Sequence, residues 1–191
     1  MKELINLVNE HLDEYLQVVY PEDIFKAMKY TLMLPGKRLR PVMCLETARI
    51  LGADIKKALP SACAIEMLHV QSLIHDDLPC MDNDDFRRGK PSNHKVFGEA
   101  NAVLAGDALL TFAPQLIIEK SKDLLSMTQI VRILHEYTKF AGAYGLIAGQ
   151  VVDIESEGGK LVKSPKETLD FIHLNKTAVL FRFCLLYTSD A

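Results

Sequence analysis

The stretch from residue 76 to residue 85 reads Asp-Asp-Leu-Pro-Cys-Met-Asp-Asn-Asp-Asp, so half of its side chains are carboxylates. A strongly apolar run precedes it, and Arg87, Arg88 and Lys90 follow it. Clustered carboxylates raise one another's pKa unless cations hold them. Mg²⁺ prefers hard oxygen ligands and binds through one or two carboxylates together with substrate phosphates, and arginine pairs with phosphate bidentately. The stretch therefore indicates a site for a magnesium-chelated diphosphate.

The competing interpretation is a solvated loop of mixed charge. An EF-hand loop is excluded, because the sixth position from Asp82 is Arg87 instead of glycine and the twelfth is Asn93 instead of glutamate. The long apolar run that leads into the stretch favours a site, since a solvated loop does not need one. Arg87 and Arg88 alone would indicate an exposed basic turn, but beside these carboxylates they are expected to share their ligand.

The position of Pro79 predicts how the carboxylates come together. Asp76 and Asp82 are six residues apart, so on an ideal helix they would point roughly 240° apart. Pro79 lacks an N–H and clashes with the carbonyl four residues back, which predicts that the helix ends or bulges between His75 and Leu78. Such a bulge would bring Asp82 back beside Asp76.

Composition limits the class of protein. The chain has 191 residues, is 49% hydrophobic and carries a net charge of −3, which predicts one domain around one core. No basic excess favours nucleic acid, and no apolar run approaches the roughly 20 residues of a membrane span. The N-terminus does not resemble a signal peptide, and the four scattered cysteines indicate reduced thiols in a cytoplasmic protein.

Apolar residues recur at helical spacing and strand-type alternation is nearly absent, which predicts an all-α fold. Pro114 is expected to interrupt one helix, and the last helix shows no C-cap signal, so the chain reads as cut off. The predicted helices lie near residues 4–19, 24–33, 41–51, 56–76, 99–112, 127–140, 143–154 and 166–186.

Basic residues upstream offer a second phosphate contact. Lys37 and Arg40 follow a Pro-Gly break and would lie on neighbouring faces if helical, as a phosphate clamp or simply as a charged helix start. His69 lies about two helical turns before Asp76 and so shares its face. It is either a packed core histidine or a phosphate-facing group.

Polar residues inside the later helices are less decisive. Asp107 is expected to be a hydrogen-bonded core acid. Gln150 and Asp153, three residues apart, share a face of a helix rich in small residues and predict a second polar contact. Lys176-Thr177 lies among apolar residues in mid-helix, where the alternative is a lysine that snorkels to the surface.

Taken together, these motifs resemble the short-chain trans-prenyl diphosphate synthases of farnesyl and geranylgeranyl type. The resemblance spans residues 25–183. It implies an isoprenoid-synthase-type helical bundle around a central cavity, a homodimer, and head-to-tail condensation of isopentenyl diphosphate with an allylic diphosphate. The segments that carry it are, in chain order, Gly36–Pro41, Ser72–Pro91, Ala105–Leu109, Gly149-Gln150 with Asp153, and His173–Thr177.

The resemblance also implies residue roles. The carboxylates that would hold Mg²⁺ on the allylic diphosphate are Asp76, Asp77 and Asp82, with Arg87 gripping the same diphosphate. The residues that would hold isopentenyl diphosphate are Lys37, Arg40, His69 and Arg88. The residues that would line the allylic side are Lys176, Thr177 and Gln150.

The sequence departs from this family in its C-terminal part. The family carries a second aspartate-rich motif on a later helix, and nothing like it follows Asp153. Residues 1–184 are therefore expected to be the N-terminal portion of one prenyl-synthase domain, incomplete at the C-terminus, and residues 185–191 a truncated or non-native tail. The chain alone is expected to be inactive or nearly so.

The resemblance also bears on the length of the product. Gln71 stands where an aromatic residue would limit the product to farnesyl diphosphate, which favours geranylgeranyl diphosphate.

Three other functions compete with this one. An HD-type phosphohydrolase would use the His75-Asp76 pair, but it needs a further upstream histidine and none lies between His11 and His69. A terpene cyclase would not need the basic residues assigned to isopentenyl diphosphate. A non-catalytic partner subunit of a heteromeric synthase stays open, although such subunits usually lose the aspartate motif that is intact here.

Overall fold

The computed structural model describes residues 1–159 and 163–189, with side chains as far as residue 185. The predicted all-α class is confirmed, because the regular structure of the described residues is helical apart from one short antiparallel hairpin. The elements are α1 Lys2–Tyr15, α2 Glu22–Leu32, α3 Leu39–Ile50, α4 Ile55–Asp76, β1 Phe86–Arg87, β2 Lys90–Pro91, α5 Asn93–Phe97, α6 Glu99–Ser121, α7 Met127–Ala141, α8 Leu146–Glu157, α9 Pro165–Ile172, a π-helical turn His173–Ala178, and α10 Val179–Ser189. Residues 190 and 191 of the predicted tail lie outside the described residues.

The centre of the fold is α4. It packs between α3 and α6, and it is buried over most of its length, from Ala58 to Ile74. A helix that is apolar on nearly all sides belongs inside a core, and α4 has this composition. Its C-terminal residue, Asp76, is thus held in place by a helix that is packed in the core.

Helix α6 differs from the sequence expectation in two ways. By length and composition it could cross a bilayer, although no apolar run was expected to approach that length. It also continues through Pro114 instead of stopping at Phe112. The carbonyl that loses its helical donor to Pro114 is that of Leu110, and the hydroxyl of the buried Tyr137 on α7 donates to this carbonyl at 3.4 Å. A neighbouring helix therefore supplies a donor where the proline removes one.

Two other predicted boundaries were wrong. Helix α1 ends at Tyr15 and not near Val19, and the side chains of Val18 and Val19 beyond it are exposed. The helix predicted over 166–186 is divided by the π-helical turn, which we call the π-turn. A π-helical turn often marks a functional position within a helix.

Candidate functional site

The end of α4 folds as Pro79 predicted. The helix stops at Asp76, and the backbone N–H of Asp82 donates to the carbonyl of Asp76 at 2.8 Å. The N–H groups of Met81 and Asn83 both donate to the carbonyl of Leu78, at 2.9 and 3.1 Å. This compact turn returns Asp82 to the level of Asp76, which confirms the predicted reversal of the chain.

The environment of Asp76 makes its carboxyl group a weak acid. Its pKa is raised to about 6, chiefly by burial and to a lesser degree by the neighbouring carboxylates Asp82 and Asp77. The ammonium group of Lys176 and the guanidinium of Arg87 oppose it. Asp76, Asp82 and Lys176 thus interact electrostatically. The ionised carboxylate of Asp76 is destabilised here, and a bound cation would stabilise it.

Asp77 points to the other side of the helix end. Its side chain is 1% exposed, and one carboxylate oxygen accepts a hydrogen bond from Arg87 Nε at 2.9 Å and another from Nη2. Arg87 Nη2 also reaches Asp84 at 3.1 Å. Burial raises the pKa of Asp77 although Arg87 opposes the rise. Arg87 therefore pairs with one oxygen of Asp77, while the other oxygen, Oδ2, is buried without a hydrogen-bond partner among the described residues. Neither residue lines the cavity described next.

The carboxylates fit a divalent cation as a pair. Among residues 1–159 and 163–189, no three histidine, cysteine, aspartate or glutamate side chains are grouped so that they could hold a metal ion. Mg²⁺ does not need such a group, because it commonly binds through one or two carboxylates and completes its shell with water and phosphate oxygens. Asp76 and Asp82 supply hard oxygen donors of this kind. The metal-ligand roles of these two residues and of Asp77 stay predictions.

A cavity of about 470 Å³ opens beside Asp76. Its polar end presents Asp76, Arg40, Gln150, Lys176 and Thr177. Nε2 of Gln150 and Nε of Arg40 are buried and have no hydrogen-bond partner among the described residues. Buried donors without partners are uncommon in folded proteins and often mark a place for a ligand or water. The rest of the wall is mostly apolar and includes Leu73, Met81, Leu146, Ile147, Val151, Ile154 and Leu180.

The π-turn brings Lys176 to this cavity. Lys176 forms an ion pair with Asp153 on α8, and the pKa of Lys176 is raised because this pairing outweighs the opposing effect of burial. The turn lies against Gly149, where a Cβ atom would be 2.7 Å from the carbonyl carbon of Asn175. Lys176 is therefore a partly buried member of the site and not a snorkelling surface lysine.

A second cleft, of about 410 Å³ and basic in character, adjoins the cavity. Lys37, Arg40 and Arg88 line it. Burial lowers the pKa of both Arg40 and Arg88, although the charge of Glu66 opposes this. Gly36 lets the guanidinium of Arg88 approach the backbone, because a Cβ atom there would be 2.9 Å from its Cζ. The predicted clamp residues are thus brought together by the fold.

Sequence reasoning missed the buried ion pair that forms the floor of this cleft. Arg38 and Glu66 are 3% and 2% exposed, and Arg38 Nη1 donates to Glu66 at 2.8 Å. Nη2 of Arg38 donates to the carbonyls of Leu32 and Leu34 at 2.8 and 3.1 Å, and its Nε donates to Asn9. Arg38 is therefore a structural cation, a role that its sequence neighbourhood does not signal.

His69 lies between the two spaces, since it lines both the cavity and the basic cleft. Burial, and after it the charges of the nearby arginines with Arg40 first, lower its pKa to about 3. The ring is therefore neutral near pH 7 and can donate one hydrogen bond to a phosphate oxygen. Its predicted position facing the site is found, and its role stays a prediction.

Two further features depart from expectation. Asp107, expected to be a core acid, has a side chain that is 60% exposed and lies 3.9 Å from Nε2 of His75. Ile147, Val151 and Ile154 occur at i, i+4 and i+7 and therefore resemble an ordinary core stripe, yet they are partly exposed and line the cavity. Only the tertiary arrangement distinguishes a cavity wall from a core.

The pKa of Asp76 predicts a pH dependence of metal binding. An acid with a raised pKa is protonated below that pKa, so below about pH 6 bound metal must displace a proton. We expect the apparent Mg²⁺ affinity, measured by calorimetry with inorganic pyrophosphate present, to fall about tenfold per pH unit below this value. The variant Asp76→Asn should bind more weakly and show a shallower slope, because only the protonation of pyrophosphate itself then remains. An affinity independent of pH between 5 and 7 would contradict the assignment.

Comparison with known proteins places the chain in a family context. Residues 21–188 match the family model described as polyprenyl synthetase. The heterodimeric geranylgeranyl pyrophosphate synthase large subunit 1, chloroplastic, of Arabidopsis thaliana is 55% identical over 175 residues, which are 91% of this chain and 47% of that protein. The farnesyl diphosphate synthase of Geobacillus stearothermophilus is 52% identical over 163 residues, 85% of this chain and 54% of that protein.

Solved structures agree with these relatives. An apo FPP/GFPP synthase from Zymomonas mobilis superposes with a TM-score of 0.92 at 34% identity, covering 99% of this chain and 69% of that one. A geranyltranstransferase from Thermotoga maritima gives 0.86 at 36% identity, covering 98% and 68%. The chain spans about half the length of the curated relatives it matches.

Proposed function

The chain belongs to the polyprenyl synthetase family, and from that premise we propose that it forms the substrate-binding half of a trans-prenyltransferase. The reaction joins isopentenyl diphosphate to an allylic diphosphate and yields geranylgeranyl or farnesyl diphosphate. Relatives named for both products match the chain. Between them, Gln71 in the cavity wall favours the longer product, because it places no aromatic ring there.

One observation supports this function above all others. The acidic cavity and the basic cleft are adjacent, and Arg40 and His69 line both. A condensation between two diphosphates needs two anion sites side by side, with the reacting carbons directed into one apolar space. The apolar wall of the cavity provides that space for a prenyl tail. A site for a single diphosphate would not require the second cleft.

The allylic diphosphate is proposed to lie at the polar end of the cavity. Asp76 and Asp82 would hold Mg²⁺, which supplies neutralisation of the diphosphate charge. Lys176 and Thr177 face this end, and Gln150 has a free buried donor there. Lys176 would exchange Asp153 for phosphate oxygens, and the pair Asp77–Arg87 would hold the loop in place with Arg87 facing the same charge.

The basic cleft is proposed to hold isopentenyl diphosphate through Lys37, Arg40, His69 and Arg88. The allylic C–O bond breaks as diphosphate leaves, and the isopentenyl double bond supplies the electron pair for the new C–C bond. The isopentenyl unit then carries the positive charge; a proton leaves the carbon next to it, the C–H electron pair forms the double bond of the product, and the departed diphosphate accepts the proton. Lys176 and Arg87, beside the allylic diphosphate, would stabilise the negative charge that develops on it as it leaves, because they are held in position before the reaction starts.

For the 191-residue chain alone we propose little or no turnover. The side chains of Ile147, Val151 and Ile154 in the cavity wall are each more than two-fifths exposed. Water that reaches an allylic cation quenches it before condensation, so a productive cavity must exclude water. The chain is thus proposed to bind its substrates without joining them efficiently. Robust Mg²⁺-dependent condensation by the purified chain would overturn this part of the proposal.

Binding measurements test the function directly. We expect calorimetry to show Mg²⁺-dependent binding of geranyl diphosphate and separate binding of isopentenyl diphosphate. Asp76→Asn should abolish the first and spare the second, while Lys37→Ala should weaken the second and spare the first. Gly158→Ala is the matched control, since a Cβ there meets only atoms at an ordinary 3.6 Å. Absence of binding for both ligands, or equal loss in both variants, would contradict the proposal.

The state of assembly is a further part of the proposal. A homodimer is proposed for the full-length protein, and a cytoplasmic location stays a prediction. The alternative is a subunit of a heteromeric synthase, and one relative is named as the large subunit of a heterodimer. Intact Asp76, Asp82 and basic-cleft residues favour a substrate-binding role in either assembly. Sedimentation of the chain with and without candidate partner subunits separates the two.

A further inference from the structure

Gly106 on α6 forms a notch that holds the imidazole of His75. A Cβ atom on Gly106 would be 2.8 Å from Cε1 of that ring and closer still to Nε2 and Cδ2. Real Cβ atoms do not approach so closely, because van der Waals repulsion rises steeply at such distances. The ring can therefore occupy its place only because residue 106 has no side chain.

Two hydrogen bonds hold the ring in the notch. Nε2 of His75 lies 3.1 Å from the carbonyl oxygen of Val103, and Nδ1 lies 3.0 Å from Nε2 of Gln71. A carbonyl can only accept, so Nε2 donates, and Nδ1 is left to accept from the Gln71 amide. The Asp107 carboxylate, 3.9 Å from Nε2, lies on the same side. Gln71 and His75 are thus fixed relative to α6 as one unit.

The same unit forms part of the cavity wall. Gln71 and His75 both line the cavity, one turn apart on α4, and His75 directly precedes Asp76. The α6 side of the ring is occupied by Gly106 and by the Val103 carbonyl. A ring expelled from the notch would lose its Val103 bond, and the open space beside it is the cavity itself. The depth of the cavity at Gln71 therefore depends on residue 106, which does not touch the cavity.

We propose that Gly106 is a specificity-determining residue that sets the length of prenyl chain the cavity accepts, by keeping His75 and Gln71 withdrawn against α6. This inference rests on the proposed function, because it assumes that the cavity holds the prenyl tail of a diphosphate. A side chain at position 106 should shorten the longest tail that binds. It should leave the basic cleft unchanged, because none of these three residues lines it.

The substitution Gly106→Ala is a usable test because the clash is with a side chain. An imidazole can rotate out of the way, whereas a clash with backbone could not be relieved so easily. We would measure Mg²⁺-dependent binding of geranyl, farnesyl and geranylgeranyl diphosphates to the chain by calorimetry. The expected result is a loss of about tenfold for the geranylgeranyl compound with little change for the geranyl compound. Gly158→Ala should leave all three affinities unchanged.

A double variant distinguishes cavity shape from misfolding. Gly106→Ala combined with His75→Ala removes the expelled ring and should restore binding of geranylgeranyl diphosphate. Equal weakening of all three ligands, an unchanged ratio, or no restoration in the double variant would overturn the inference while leaving the proposed function intact. Absence of binding of every prenyl diphosphate to the unmodified chain would overturn both together.

Discussion

Replacing Glu66 with alanine is expected to destabilise the folded chain by about 3–5 kcal/mol. Glu66 is 2% exposed and is the carboxylate partner of Arg38, which is itself buried. Removing the carboxylate leaves a guanidinium in a region from which water is excluded. Three other acceptors, Asn9 and the carbonyls of Leu32 and Leu34, retain their hydrogen bonds to Arg38, but none carries a formal negative charge.

The loss should be measurable as a shift in the midpoint of urea unfolding. The control Glu22→Ala breaks an ion pair of similar type with Lys26 on the exposed face of α2, and we expect no measurable change there. Replacing both members of the buried pair by Arg38→Met and Glu66→Leu should recover much of the stability, because no charge is then left unpaired. A Glu66→Ala midpoint equal to that of Glu22→Ala would show that the buried pair is not coupled.

The sequence allowed the acidic end of α4 to be predicted because its cause is local. Pro79 forbids a further helical turn, and the reversal of the chain at Asp82 follows from backbone geometry alone. Hydrophobic periodicity likewise predicted the long helices, since it reflects which face must be buried. The predicted site residues Asp76 and Arg40 lie on two such helices and line the same cavity.

The remaining features depend on contacts between distant parts of the chain. Lys37, Arg38 and Arg40 look alike in sequence, and only the placement of Asn9 and Glu66 makes Arg38 structural. Pro114 lies inside α6, where the hydroxyl of Tyr137 reaches the freed carbonyl of Leu110. Asp77 and Arg87 were each assigned to the ligand, yet they pair with each other. Local patterns contain no information about such partners.

The π-turn belongs to the same class, and it leads to the second large prediction. Gly149→Ala is expected to lower the affinity for geranyl diphosphate by about a hundredfold in the presence of Mg²⁺. A Cβ at this position would be 2.8 Å from Cα of Lys176 and 2.7 Å from the carbonyl carbon of Asn175, and closer still to the Lys176 nitrogen. All three are backbone atoms, so no side-chain rotation relieves the overlap. The π-turn must move away from α8.

The displacement should act on ligand binding through Lys176. Asp153, one turn beyond Gly149 on α8, holds the Lys176 ammonium group at the cavity, and the charges of Asp76 and Asp82 reach the same group. Once the π-turn shifts, this pairing is lost and Lys176 no longer faces the diphosphate. Overpacking of this kind also costs about 1–3 kcal/mol of stability, which thermal unfolding would record.

The comparison of two glycine variants separates the two consequences. Gly106→Ala clashes with a side chain and should change selectivity for tail length, whereas Gly149→Ala clashes with backbone and should weaken all allylic diphosphates equally, whatever the length of their tail. Binding of isopentenyl diphosphate in the basic cleft should survive in both variants, because neither glycine lines that cleft. If Gly149→Ala instead bound geranyl diphosphate normally, Lys176 would not be a diphosphate ligand, and the polar end of the cavity would depend on Asp76, Asp82 and Gln150 alone.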